Sequence, residues 1–355
     1  MTIQKFTISN DPDFYEAWPD VVLTDSGKLI CVFTECTHHG DHSHSCIMLI
    51  ESVDRGRTWS QKYPLTEETG SLSYHYNCAR ISKLSDGRLV ISLDRAQKDD
   101  EADESFREEK TSRCEIFLYF SSDDGESWSE KVPTPARGIV PDKLIELDNG
   151  RWLLASHYCV NEKLTEFLHW SDDQGKTWSQ RVTVAASSDL NLCEGSLLPL
   201  GDGKVVAFMR ENSWLGMDCK KVISEDNGET WGEILDFPVN GCHRPTTGWL
   251  NNGQMLLTCR LMPGGGGWVG HYTQNLLAVL TDRESVLTDR RRGARIRILP
   301  IDFDRSPHSD TGYSGWVQFP DGEIYIVNYI VDDAWDKAQI RGYSLHMEDF
   351  LLTQK

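Results

Sequence analysis

The stretch Glu194–Arg210, EGSLLPLGDGKVVAFMR, decides how the rest of the chain is read. An apolar run leads into Gly201-Asp202-Gly203-Lys204, and the β-prone run Val205-Val206-Ala207-Phe208 follows. Two strands joined by an Asp-Gly turn are the simplest structure for this pattern, because a left-handed φ is cheap only for Gly, Asn and Asp. The outer ends of such a hairpin lie side by side. Glu194 and Arg210 therefore meet at one rim, a carboxylate beside a guanidinium.

The same frame recurs at Trp18–Glu35, Cys78–Arg95, Pro141–His157, Arg244–Arg260 and Tyr313–Tyr329, each around an x-Gly turn. Between copies stands a second signature, Ser-x-Asp-x-Gly-x-x-Trp, at Ser52–Trp59, Ser121–Trp128, Ser171–Trp178 and Ser224–Trp231; the starts are 69, 50 and 53 residues apart. Thr281-Asp282-Arg283 reads as a decayed fifth copy. In this octapeptide the Asp and Ser side chains can accept from amides of their own turn, Gly takes the left-handed position, and Trp closes the hairpin. A turn staple is expected, with the four tryptophans buried far from any site.

Repeats of this length, with a few strands each and no helical period, predict an all-β, six-bladed β-propeller. The blades are expected over roughly 10–60, 70–130, 135–180, 188–233, 240–285 and 308–355, in a single domain spanning 1–355. Residues 2–9 are expected to supply a strand that closes the ring against the last blade.

Composition narrows the function. The 355 residues carry 36 Lys and Arg against 55 Asp and Glu, a formal charge of −19. Such a surface cannot displace counterions from nucleic acid and is repelled by anionic membranes. No apolar run reaches the ~20 residues of a membrane helix, and the N-terminal residues alternate like a strand rather than forming a secretory h-region. The ten cysteines lack a short-spaced framework, so buried, reduced thiols in a cytoplasmic protein are expected. The charged run Ala96–Arg113 reads as a solvated loop. The loop Met262–Trp268, with four consecutive glycines, is either a mobile lid carrying Trp268 or a plain connection.

Equivalent positions of the six copies converge on one mouth. The first column holds Trp18, Cys78 with Arg80 close by, Pro141-Asp142, Glu194, Arg244 and Tyr313; the second holds Glu35, Arg95, His157, Arg210, Arg260 and Tyr329. Polar and charged groups crowd these columns where a core would need Val or Ile, which predicts a polar pocket. Blade one leaves through Glu35-Cys-Thr-His38-His39-Gly-Asp41-His42-Ser-His44. This cluster can supply a catalytic His, hold a divalent metal, or be a solvated loop; its spacing matches no standard ligand motif, and neither a metal nor a cofactor is expected.

Asp-box repeats in a six-bladed frame resemble the sialidase (neuraminidase) superfamily of BNR-repeat proteins over nearly the whole chain. The resemblance implies a Tyr nucleophile activated by a Glu, an Asp acid/base and three Arg that clamp a carboxylate. Glu194 stands at the family Glu, Tyr313-Ser314 at the Tyr-Ser motif, Arg210 at one Arg, and Asp41 where the acid/base would be. Glu16-Ala17-Trp18-Pro19 replaces the family's Phe-Arg-Ile-Pro, and Thr273 stands at the third Arg. Arg80, Arg95, Arg244 and Arg260 would then rebuild an anion clamp, with His157 beside it.

The resemblance and the two columns together predict a glycoside hydrolase acting on a sialic or uronic acid-type oligosaccharide, with Tyr313, Glu194, Asp41 and His42 as catalytic groups. Two rivals remain: a poly- or oligosaccharide lyase using His and Tyr in the same pocket, and a non-catalytic sugar-binding propeller. A carbohydrate is the expected partner, with no nucleic acid and no membrane.

Overall fold

The structure, a computed structural model, describes residues 3–98, 111–264 and 273–351. Six four-stranded antiparallel sheets stand in a ring, and strands follow one another in sequence order within each of the first five. Their innermost strands are Tyr15–Leu23, Tyr74–Lys83, Ile145–Glu146, Leu192–Gly201, Cys242–Trp249 and Thr311–Gln318. The sixth sheet borrows its outermost strand from the start of the chain: Gln4–Ser9 pairs with Gln339–Leu345, from Gln4 opposite Ser344 to Ser9 opposite Ile340. This is the closing strand that the sequence predicts.

The second strand of every blade is packed between neighbouring blades on both faces, so it reads as a nearly continuous apolar run. Leu29–Phe33, Leu89–Ile91, Val205–Met209 and Ile324–Val327 are all buried. The core is accordingly not one mass. It is a ring of wedges, one at each blade interface, such as Phe208, Met255 and Val279 between blades four and five, or Tyr15, Phe33 and Tyr325 between blades one and six. Each wedge joins two adjacent blades, so every blade is tied to both neighbours.

The octapeptide repeats join the third and fourth strands of blades one to four. In the first, Ser52 Oγ donates to Asp54 Oδ1 at 2.8 Å and accepts from Gly56 N at 2.8 Å, while Thr58 N donates to Asp54 Oδ1 at 2.8 Å. The other three copies repeat these bonds. The glycine is left-handed as expected, and so is the residue before it: Arg55, Asp124, Gln174 and Asn227 have φ of 64, 60, 60 and 58°. Trp59, Trp128, Trp178 and Trp231 are half-buried, less than expected, and none lines the central cavity. The decayed fifth copy has become a helix start, in which Asp282 Oδ1 accepts from Ser285 N at 2.8 Å and caps Arg283–Leu287.

One irregularity recurs around the axis. The inner strands of blades one, two, four, five and six each skip register, between Ala17 and Asp20, Tyr76 and Ala79, Cys193 and Ser196, His243 and Thr246, and Gly312 and Gly315. Trp18, Glu194, Arg244 and Tyr313 sit in these bulges with φ of 55, 53, 50 and 52°, and Val140 takes φ 48° at the same point of blade three. A left-handed non-glycine costs about 1–3 kcal/mol and persists only when its surroundings enforce it. Here those surroundings are bonds from blade to blade. Asp20 Oδ2 accepts from Ile81 N at 3.0 Å, Asp142 Oδ2 from Leu197 N at 2.7 Å, and Thr246 Oγ1 donates to Ser314 O at 2.7 Å.

Candidate active site

The bulges re-aim side chains that alternation alone would point elsewhere. They open a cavity of about 410 Å³ at the axis, lined among others by Trp18, His39, His42, His157, Glu194, Arg210, Trp214, Arg260, Asp310 and Tyr313.

Its centre is the contact between blades six and four. Tyr313 Oη donates to Glu194 Oε1. Arg210 Nη1 donates to the same carboxylate oxygen at 2.9 Å and lies 3.4 Å from the Tyr313 hydroxyl. Arg210 is set by the hairpin of the opening stretch: Cys193 pairs with Arg210, and Asp202 and Gly203 form the two-residue left-handed turn, φ 51 and 78°. Burial opposes charge on Glu194, yet Arg210 first and Arg260 next hold its carboxyl well below the usual range. Burial, then the Glu194 charge, push the Tyr313 phenol well above its ordinary value. The proton therefore rests on the tyrosine and the charge on the glutamate.

His157 sits behind this pair. Its Nδ1 accepts from Glu194 N at 3.2 Å, fixing the Nε2–H tautomer, and burial lowers its pKa to about 4. It is a neutral ring that pins the bulge. Glu166 Oε2 accepts from Gly195 N at 3.3 Å; burial, with Asp142 nearby, raises its carboxyl to about 8.

Across the cavity stands a second constellation. Asp310 Oδ2 meets His39 Nδ1 and accepts from Tyr15 Oη, and Asp310 Oδ1 accepts from Tyr329 Oη at 2.8 Å. Burial would raise the Asp310 carboxyl, but His39 and then Arg260 hold it at about 2. A carboxylate fixed on one imidazole nitrogen leaves the other nitrogen to work. Arg260 lies 3.7 Å from Asp310 Oδ1, with its guanidinium carbon 5.2 Å from the centre of the Tyr313 ring. His42 has its Nε2 3.0 Å from His39 O, and burial lowers its pKa.

Four of the expected site residues lie elsewhere. Asp41 is exposed at the tip of the blade-one hairpin, where Oδ1 accepts from Ser43 N at 2.8 Å; the hairpin twist turns His39 and His42 inward and Asp41 out. Arg80 Nη1 donates to Pro19 O at 2.9 Å and lies 3.4 Å from Tyr313 O. Arg244 occupies a bulge, but its guanidinium runs down the axis to Gly195 O at 2.9 Å and Pro141 O at 3.2 Å. Both are buried staples beneath the pocket. Arg95 pairs with Glu115 and stacks over Tyr74 and Phe117, at 4.6 and 4.8 Å. Two of the five arginines, Arg210 and Arg260, line the cavity, and each already faces a carboxylate. In blade three the column residue is Val140 rather than Pro141-Asp142.

Sequence reasoning overlooked Trp214, Asp310 and Gln274, and gave His39 no separate weight. Ala17 stands where the first arginine is missing, and its neighbour Trp18 puts an apolar ring into the cavity, 5.4 and 5.7 Å from His39 and His42. Trp268, His271, Tyr272 and the middle of the charged run lie outside the described residues.

The family model described as "BNR repeat-like domain" matches residues 101–326. The chain belongs to the BNR repeat-like family. Among solved structures, this BNR-repeat protein is similar to a protein of unknown function from Dyadobacter fermentans, with a TM-score of 0.73, 19% identity, and coverage of 97% of this chain and 99% of the other. It is also similar to a Hadza microbial sialidase, with a TM-score of 0.72, 17% identity, and coverage of 95% of this chain and 66% of that one. These likenesses show the sialidase-like propeller fold. A curated sialidase from Paraclostridium sordellii is 24% identical over 145 residues, 36% of this chain and 33% of the relative. The match thus spans about a third of that relative's length. No helix among the described residues is long and apolar enough to cross a membrane.

Proposed function

We propose that this BNR-repeat protein is a glycoside hydrolase that works through a covalent tyrosyl intermediate. The observation that supports this most is the Tyr313–Glu194–Arg210 contact. A phenol is a weak nucleophile until a base takes its proton. As Tyr313 Oη attacks the anomeric carbon, its proton passes to Glu194 Oε1, and Arg210 stabilises the charge that both oxygens share. The departing glycosidic oxygen needs a proton donor on the opposite side. With Asp41 facing solvent, His39 takes this role: Asp310 holds Nδ1–H and balances the imidazolium, and Nε2–H gives the proton. In the second step His39 Nε2 takes a proton from water, the water oxygen bonds to the anomeric carbon, and Tyr313 leaves with the proton returned from Glu194. The net reaction adds one water across one glycosidic bond.

Five converging arginines were the motive for an anionic sugar, and two reaching the cavity, both already opposite carboxylates, remove it. Neutral glycosides therefore join sialic- and uronic-acid glycosides in the test panel. Incubation with 4-methylumbelliferyl glycosides of all three kinds, and with their fluorinated counterparts that trap the glycosyl enzyme, should give turnover and a mass increment on the peptide containing Tyr313. An increment elsewhere, or none with turnover intact, would sink the mechanism.

The lyase reading draws on a specific observation as well, since His39, His42 and Tyr313 share the cavity. Its signature is a new C=C absorbance in place of a hydrolysed product.

A further inference from the structure

Beside the axial cavity lies a second one of about 500 Å³, and the two share Trp214, Met262, Gln274 and Asp310. They form one bent cleft with the Asp310 carboxylate at the bend. We propose that the second cavity binds a neutral pyranose ring, the leaving-group sugar of a substrate at least two rings long, stacked on Trp335. The proposal rests on the hydrolase reading for its place in a reaction, but the site itself is argued from its own walls.

Trp335 is unusual twice over. Its side chain is among the most exposed large apolar groups described, at 62%, and its φ is +69°, a left-handed value that a bulky residue avoids. Either feature alone disfavours the fold. The segment carrying it is held rigidly all the same. Asp332 binds Arg305 Nε at 2.6 Å and Arg341 Nη1 at 2.8 Å, Ser306 Oγ donates to Trp335 O at 3.3 Å, and Lys337 Nζ donates to Thr37 O of blade one at 3.0 Å. A largely exposed indole lining a cavity, carried on a segment that these bonds tie down, is a platform rather than a loose end.

The other walls name the ligand. Among the described residues the cavity lining holds the carboxylates of Asp310 and Asp336, the imidazoles of His38 and His308, Gln274 and Ser309, and neither Lys nor Arg. An aromatic face stacks on the C–H face of a pyranose, and carboxylates and amides accept from its hydroxyls. The Asp310 charge is already balanced by His39 and Arg260, and with neither Lys nor Arg among the described lining residues no permanent positive charge faces this cavity to hold an anionic ring. Because Asp310 walls both cavities and orients His39, a bond spanning the bend would set its oxygen beside the proton donor.

Two measurements test this separately from the chemistry. Saturation-transfer NMR and tryptophan fluorescence on the whole protein with lactose, maltose and cellobiose should report binding of at least one, weakened about tenfold or more in Trp335→Ala and restored in Trp335→Phe. Thermal melts of both variants check that they fold. For whichever glycone is turned over, the ratio of kcat/KM for the disaccharide over the aryl glycoside should fall by a similar factor in Trp335→Ala. If no glycoside is turned over but Trp335-dependent binding persists, the sugar site stands and the hydrolase reading falls. If wild type binds none of the disaccharides, or Trp335→Ala binds as wild type does, the site is refuted.

Discussion

Tyr313 and Phe would pack alike at position 313, since the ring lies among Trp18, Tyr329 and the Arg260 guanidinium and only the hydroxyl touches Glu194. Tyr313→Phe should therefore lower kcat/KM by about 10³-fold or more while the far-UV spectrum stays native. Full activity in that variant would end the tyrosyl mechanism. Glu166 permits a test of electrostatics that does not depend on a substrate. Its carboxyl sits at about 8 in the folded protein, against ~4.3 in an unfolded chain. Between those values the native state binds the extra proton, so folding stability declines as pH rises through the window. Glu166→Gln keeps an acceptor for Gly195 N and cannot ionise. The Tm of the variant minus that of wild type should grow steadily from about pH 5 to pH 8; a flat difference would mean that Glu166 ionises normally.

At the scale of the element, the hairpins and turn staples carry the fold. Trp231 is half-buried against the wedge between blades three and four, so Trp231→Ala should cost ~2–3 kcal/mol in urea denaturation, below the value for a fully buried ring. The Asp54 carboxyl is lowered to about 2 by the Thr58 hydroxyl and amide. Its turn should contribute above ~pH 4 and lose that contribution as pH falls toward 2, which acid titration of Asp54→Asn against wild type would reveal. These elements were legible because turns and strand alternation are local. Glu194, Arg210, Tyr313, His157 and Arg260 were legible with them, each anchored to a hairpin end. Other parts of the site were not, and the bulges are one reason. One extra residue in a strand flips every later side chain to the other face. Arg80 and Arg244 were thus placed correctly along the chain and wrongly in direction, and Trp18 gained a place in the cavity that its apolar chemistry did not advertise. Asp310 precedes the last frame, where no period marks it, and its importance comes from His39, some 270 residues away.

For the whole molecule, the wedges between blades make stability a property of the closed ring rather than of any blade. The contact that completes it joins Gln4 to Ser344. Removing residues 3–9, or replacing Thr7 with Pro to break the pairing with Arg341, should lower Tm by several degrees and expose the edge of Gln339–Leu345, detectable as faster amide exchange there. Unchanged exchange along that strand would show that the ring holds without it. The same pairing governs how the chain comes into being. During synthesis the first strand emerges early and waits, unmated, through five blades until its partner appears. Closure thus carries the largest loop entropy among the described strand pairs, so a free β-edge needs shelter until the sixth blade is made, and any delay before its last strand emerges becomes a window for aggregation.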